Sequence, residues 1–558
     1  MNALPVNDVD EWWKDAVVYC VDVESYLDTD ANGTGDLSGL IDRIDHLAEL
    51  GIDCLWLMPF HPTPGRDDGY DITGFYGVDH RLGSLGDFAQ LVRTAHRRGI
   101  KVVIDLVVNH TSIDHPWFQE ARSSVDNPFR DYYVWREDEP PDTSEMVVFH
   151  DEEKGIWSRD EITGHWYLHR FYRHQPDLNL SHPRVREEIA KIVGFWVQLG
   201  VDGFRVDAVP QLLTVGLRDE IENERGFVDP HGFLRRLRTF MNRRTGDAIL
   251  LGEVNLPYEE QRTLFGTDGE GELTLVFDFV AMQNMYLSLA RQDATAFARA
   301  LRGRPEIPES AAWATFVRNH DELTLDQLTE EEREEVFAAF GPREEMQVYG
   351  RGLKRRLPPM LDGDPDRIRM VYSLLFSLPG TPTLFYGEEI GMGEDLGAEG
   401  RAAVRTPMQW TAGPNAGFSP VAPDDLTSPV VSGEYGPAHV NVEAQRRNPD
   451  SLWSFFVRLV RRYREVPELA RGDLRVLDVG DPRVLVHVCE WRGTSTVAVH
   501  NLGPAPVTLE VPVPGERVNG AALVDVLAPD SEHRIDVGPE GTAEIRVGRF
   551  GYHWFRVL

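Results

Sequence analysis

Residues 87–110 read DFAQLVRTAHRRGIKVVIDLVVNH, and this stretch decides the fold. Phe88, Leu91, Val92 and Ala95 recur at the spacing of one helix face, so the pattern predicts a helix over 87–98. Lys101–Val108 then reads as a strand, and polar Asp105, Asn109 and His110 stand at its end. Similar strand-like runs occur at Val17–Val23, Cys54–Phe60, Gly203–Val206, Ala248–Gly252, Leu275–Phe279, Ala314–Val317 and Pro382–Tyr386. Helical patterns separate them: Leu37–Leu50 with Leu40, Ile44, Leu47 and Leu50 apolar, then Arg184–Leu199 and Phe233–Arg243. Eight β-then-α units predict the α/β class and a parallel (β/α)8 barrel with its helices outside.

Two stretches interrupt this rhythm. Residues 111–180 are rich in aromatics, His and Pro and are too long for a plain connection, so an inserted domain is expected there. Residues 322–365 carry TEEEREEV and GRGLKRRL, a strongly charged stretch read as a helical lid. The catalytic barrel then takes 1–110 and 181–470. From 471 to 558, LRVLDV, VLVHVCEW, STVAVHNL, VTLEVPV and GYHWFRVL alternate between turn signals, predicting a C-terminal antiparallel β-sandwich.

Composition narrows the function classes. The chain has 558 residues, enough for two to four domains, and 57 Lys+Arg against 91 Asp+Glu give a formal charge of −34. Such an acidic surface repels phosphate backbones and anionic lipid, so neither nucleic acid nor membrane is an expected partner. Three scattered cysteines, Cys20, Cys54 and Cys489, suit neither a disulfide framework nor a zinc site. Met1–Asp15 has no basic segment and apolar run, and no stretch reaches the ~18–20 apolar residues of a bilayer crossing. A cytoplasmic protein is the expectation.

In a barrel of this type, chemistry gathers at the C-terminal strand ends. The third strand ends with Asp105, Asn109 and His110, the fourth with Arg205 and Asp207, the fifth with Glu253, and the seventh with Arg318, Asn319, His320 and Asp321. Retaining glycoside cleavage needs such a set: one carboxylate attacks the anomeric carbon while another carboxyl protonates the leaving oxygen. Crowded negative charge raises one pKa, and a nearby Arg keeps the nucleophile ionised. Any one of these residues is more often a helix cap, a salt bridge or a structural histidine. Their joint occurrence on four strand ends favours catalysis.

A separate motif, DTDANGTGD (28–36), sets Asp28, Asp30, Asn32 and Asp36 at alternating positions, with Thr34 able to offer its carbonyl. Oxygen ligands in this spacing suit Ca²⁺, with Mg²⁺ as the alternative ion, against the simpler reading of a polar turn. No organic cofactor is expected.

Several stretches resemble the α-amylase superfamily of retaining α-glycosidases and transglycosidases, and above all its trehalose synthases. They include DDGYDITGFYGV (67–78), DLVVNHTSIDHPWF (105–118), HRFYRHQPDLN (169–179), LGVDGFRVDAVP (199–210), RNHDELTL (318–325), LFSLPGTPTLFYGEEIGMG (375–393) and RAAVRTPMQW (401–410). The resemblance implies Asp207 as nucleophile, Glu253 as general acid/base and Asp321 as transition-state stabiliser. It further implies that Asp67, His110, Arg205, His320 and Arg401 hold the hydroxyls of one glucosyl ring and that Tyr70 stacks on it. Phe171 and Gln175 would face the second sugar, and Asn109 with Asp177 would form a second Ca²⁺ site. The implied activity is interconversion of maltose and trehalose with some hydrolysis; a hydrolytic α-glucosidase or intermolecular transglucosylase is the alternative. The implied partner is a small α-glucoside, and a homo-oligomer is compatible with the chain. A non-catalytic sugar-binding relative would have lost the three carboxylates. This chain departs from the trehalose-synthase pattern at Cys20, Asp22 and Glu24, after Glu253 in Val254–Pro257, and at Asp278.

Overall fold

The computed structural model describes all residues except 1–10, 151, 214–229, 268–269, 515–520 and 529–533. The first ten residues of the stretch Met1–Asp15 therefore lie outside the described part. Eight strands, Val18–Val21, Cys54–Leu57, Lys101–Leu106, Gly203–Val206, Ile249–Gly252, Leu275–Phe277, Ala312–Phe316 and Thr381–Phe385, form a closed barrel. Every neighbouring pair is parallel, and the first strand closes on the eighth with Val18 opposite Thr383. Almost every strand residue is buried, which is why the strands read as apolar runs rather than alternations. Cys54–Phe60 and Lys101–Val108 stop short as strands, at Leu57 and Leu106, where the chain leaves the ladder for the barrel mouth.

The helix Leu85–Arg97 opens on a capping box, with Ser84 accepting from the Asp87 amide and the Asp87 carboxylate accepting from the Ser84 amide. The expected helix Leu37–Leu50 is instead two, Leu37–Asp42 and Ile44–Leu50. Arg43 leaves helical geometry between them (φ −108°, ψ 4°) and lays its guanidinium 4.3 Å from the centroid of the Trp410 ring. Apolar spacing alone carries no sign of that break.

Within 111–180, Trp135–Arg136, Trp157–Arg159 and Trp166–Leu168 form a small antiparallel sheet over Val134, Val147, Ile156 and Leu168. The 322–365 stretch, expected as a helical lid, is only partly helical. Its main helix, Glu330–Phe340, starts from a Thr329–Glu332 capping box. Around it, Leu323–Thr324 and Gln347–Val348 both pair antiparallel with Gly352–Leu353. Tyr349 and Gly350 turn the chain with left-handed φ of 56° and 64°, where the charged GRGLKRRL had suggested more helix.

Beyond 471, six strands form one antiparallel sheet, and Val507–Pro512 pairs with Thr542–Val547 in a second. Val486, Val488 and Val499 of the first sheet share an apolar core with Leu509, Val511 and Ile545 of the second. Among the described residues, no helix is long and apolar enough to cross a membrane.

Candidate active site

Arg205 lies on the fourth strand with no exposed surface, so its charge requires partners inside the molecule. It has three. Nη1 donates to Asp105 Oδ1 at 2.7 Å and Asp207 Oδ1 at 2.6 Å, and Nη2 lies 2.9 Å from Glu253 Oε2. Carboxylates from the third, fourth and fifth strand ends thus gather on one guanidinium. The other Asp105 oxygen accepts from Trp56 Nε1 at 2.6 Å. Glu253 Oε2 also accepts the Ala208 amide at 3.0 Å. Ala208 follows Asp207 directly and holds a left-handed φ of 49°, local strain of the kind that collects at functional sites.

Asp321 approaches from the seventh strand. Its Oδ1 takes Arg401 Nη1 at 2.6 Å and Arg405 Nη2 at 3.0 Å, while Oδ2 stands 3.3 Å from His320 Nε2. Arg401 reaches Asp67 with its other nitrogen at 3.1 Å, and Gln175 Nε2 donates to the second Asp67 oxygen at 2.7 Å. The Tyr70 hydroxyl bonds to His320 Nε2 at 2.7 Å, and the two rings are nearly parallel with centroids 5.5 Å apart. His110 Nε2 bonds to the Tyr70 carbonyl at 3.1 Å, and its ring lies 5.3 Å from Phe171.

These surroundings separate the acids electrically. Burial pushes Asp207 up to about 6, with Asp105 and Asp321 adding and Arg205 opposing. Burial pushes Glu253 up to about 7, with Asp207 and Asp321 adding and Arg205 opposing. Burial by itself would also raise Asp321, but His320, Arg401 and Arg405 outweigh it and hold that carboxyl well below the usual range. Burial keeps His320 neutral. Near neutrality the mouth can therefore offer a protonated carboxyl, an ionised neighbour and a permanently negative third group. That combination suits attack, proton donation and stabilisation of developing positive charge.

Comparison with known proteins identifies the setting. The α-amylase catalytic-domain model matches residues 21–340 and 355–472. The chain belongs to the α-amylase family. It is 42% identical over 519 residues to the trehalose synthase/amylase TreS of Mycobacterium tuberculosis, covering 91% of this chain and 85% of that one. It is 37% identical over 568 residues to a trehalose synthase of a Pimelobacter species, covering 98% and 96%. The α-amylase of H. orenii superposes with a TM-score of 0.76 at 25% identity, covering 97% of this chain and 99% of that one. Family membership makes this chain one of a group of glycoside-processing enzymes.

Within this family member, the departures at the barrel mouth have local explanations. Asp22 caps the short turn Val23–Ser25, and Glu24 pairs with Arg81 at 2.8 Å. Asp278 caps the helix Phe279–Arg291 and binds Arg304 at 2.6 Å and Tyr258 at 2.8 Å. Asn255, just past Glu253, donates to Asp326 at 2.7 Å, so the Glu253 loop is tied to the chain beyond Asp321. Two contributors were missed by the residue-level reading. Asp105 was noted at a strand end but given no role. Arg405 joins Asp321, Asp68 (2.6 Å) and the His320 carbonyl (2.8 Å); its only sequence signal was its place in RAAVRTPMQW.

In the 28–36 loop, carboxylate oxygens of Asp28, Asp30 and Asp36 all lie within 4.8 Å of one another, a cluster that could hold a metal ion. Left-handed Ala31 and Gly33 curl the chain, and Asp28 accepts the amides of both at 2.8 and 2.9 Å. Asn32 Oδ1 accepts the Thr34 amide at 2.8 Å. The pKa of Asp30 is raised by the desolvation it does suffer and by Asp36 and Asp28, a repulsion that a cation would relieve. The donors are all oxygen, so they fit a hard ion. Elsewhere, Asn109 Nδ2 lies 3.3 Å from Asp177 Oδ1, and residues 110 and 177 form an isolated bridge. Arg170 Nη1 stands 3.4 Å from Asp177 Oδ2 and donates to the Gln211 carbonyl at 2.6 Å.

Proposed function

We propose that this enzyme moves α-glucosyl groups by double displacement and isomerises maltose to trehalose, with hydrolysis as the leak. The observation that carries the reading is the shared guanidinium: Asp207 and Glu253 are fixed as neighbours on Arg205, while Asp321 stands apart on Arg401 and Arg405. In this account Asp207 attacks the anomeric carbon as the bond to the leaving oxygen breaks, and the Glu253 proton passes to that oxygen. A β-linked glucosyl ester on Asp207 and a free glucose result. If that glucose stays, turns and presents its anomeric hydroxyl, Glu253 takes the proton, the oxygen attacks the anomeric carbon, and the bond from that carbon to Asp207 breaks, giving trehalose. Water in its place gives a second glucose. Asp67 and Arg401, with His110, His320 and Tyr70, would hold the reacting ring, and Phe171 and Gln175 would face the other sugar.

We read 111–180 as an inserted module, 471–558 as a C-terminal one, and the barrel as the catalytic body. Asp28, Asp30, Asn32, Asp36 and the Thr34 carbonyl would hold Ca²⁺ or Mg²⁺ as a structural ion bracing the loop before the helix Leu37–Asp42. The three cysteines are free and buried, which accords with a cytoplasmic setting. The relative that carries both a synthase and an amylase name makes hydrolysis the specific alternative. Incubation of the purified protein with maltose tests the reading: trehalose is expected as the main product, and glucose alone would reject the isomerase in favour of a glucosidase.

A further inference from the structure

Over Arg401 lies a group of rings drawn from two separate parts of the chain. Phe149, Phe171 and Tyr172 come from the insert, and Tyr349 comes from the tip of the 347–353 hairpin. Phe149 stacks on Tyr172 with centroids 4.5 Å apart, lies 6.2 Å from Phe171, and meets the Tyr349 ring at 4.8 Å. The Arg401 guanidinium sits 5.2 Å from the Phe149 centroid while its two ends hold Asp67 and Asp321. The ring cluster is therefore the ceiling directly above those two acids.

Tyr349 is unusual in two ways. It occupies a hairpin tip yet is only 9% exposed. It also holds a left-handed φ of 56°, a conformation that glycine or asparagine adopts with far less strain. A bulky ring at such a position implies a contact that only the ring supplies. Phe149 provides one face of that contact. The phenol meets bare backbone as well: a Cβ at Gly400, the residue before Arg401, would stand 3.2 Å from the Tyr349 hydroxyl. The hairpin pairs with Leu323–Thr324, which begins two residues after Asp321, and Arg351, within the turn itself, pairs with Glu322 at 2.9 Å. The family match passes over 341–354, so this hairpin lies outside the shared catalytic frame.

We propose that Tyr349 is a latch: seated on Phe149, it pins the hairpin to the insert and sets how the glucosyl intermediate divides between water and the glucose retained beside it. The inference rests on the retained-glucose reading above and adds the residue that governs retention. With the ring seated, water is kept from the ester and the departing glucose has no exit. With the ring removed, both paths open while the carboxylates keep their partners.

The test compares wild type, Tyr349→Ala and Tyr349→Phe on maltose, reading the trehalose-to-glucose ratio, total maltose consumed and thermal stability. Tyr349→Ala is expected to raise the glucose share by about fivefold, with maltose consumption within about threefold of wild type. Tyr349→Phe, which keeps the ring, is expected to stay near the wild-type ratio. An unchanged ratio in Tyr349→Ala overturns the latch, and so does an equal shift in both variants. Should Tyr349→Ala fail to fold, Phe149→Ala removes the seat from the opposite side and must give the same shift. If wild type makes glucose alone, the isomerase reading fails, and transfer to an added bulky alcohol tests the latch separately. That transfer, relative to hydrolysis, should rise in Tyr349→Ala, and no rise would reject the proposal.

Discussion

At the scale of single residues, the account turns on how one buried guanidinium sorts carboxyl groups. Burial pushes Asp207 up to about 6 and Glu253 up to about 7, against the opposing Arg205. Below the lower value the nucleophile gains a proton and cannot attack. Above the upper one, the acid has lost the proton it must donate. kcat/KM is therefore expected to follow a narrow bell with limbs near 6 and 7, measured as a pH profile on maltose. Glu253→Gln should lower kcat by roughly 10²–10⁴-fold on maltose and much less on an aryl α-glucoside, whose leaving group needs no proton. A flat profile from pH 5 to 8 would contradict these assignments. Asp207, Glu253 and Asp321 were legible in the sequence because acids at strand ends of a barrel share one mouth. The role of Arg405 was not, since it depends on a loop after the eighth strand folding back to Asp321, and no spacing encodes that return.

At the scale of elements, the 28–36 loop does two jobs that substitution can separate. Asp36 both joins the acidic cluster and caps the helix Leu37–Asp42, accepting the Gly39 amide at 2.7 Å, whereas Asp30 is exposed, caps no helix, and accepts only from Asn32, at 3.2 Å. Chelation is expected to lower the melting temperature of the wild type. Asp30→Ala should abolish that sensitivity at little further cost, while Asp36→Ala should lose it and about 1 kcal/mol of cap stabilisation besides. Calorimetry with and without chelator checks this; an Asp30→Ala protein that still responds to chelator would place the ion elsewhere. The eight barrel strands were readable because burial on both faces leaves continuous apolar runs. The break at Arg43 and the Tyr349–Gly350 turn were not. Each depends on a partner far along the chain, Trp410 in one case and Phe149 in the other.

At the scale of the whole molecule, three parts of the chain cooperate around one cavity mouth. The barrel supplies the acids, residues 111–180 supply Gln175, Phe171 and Phe149, and the stretch beyond Asp321 supplies the hairpin that carries Tyr349. Neither the composition nor the charge of −34 carries any trace of that closure. In the proposed reading it is also what divides an isomerase from a glucosidase, since both would use the same carboxylates and the same ester. The most direct test gives the enzyme maltose in the presence of a large excess of ¹³C-labelled free glucose and measures label in the trehalose formed. Intramolecular return of a retained glucose predicts trehalose without label. Trehalose labelled in proportion to the free pool, or no trehalose at all, would contradict the account.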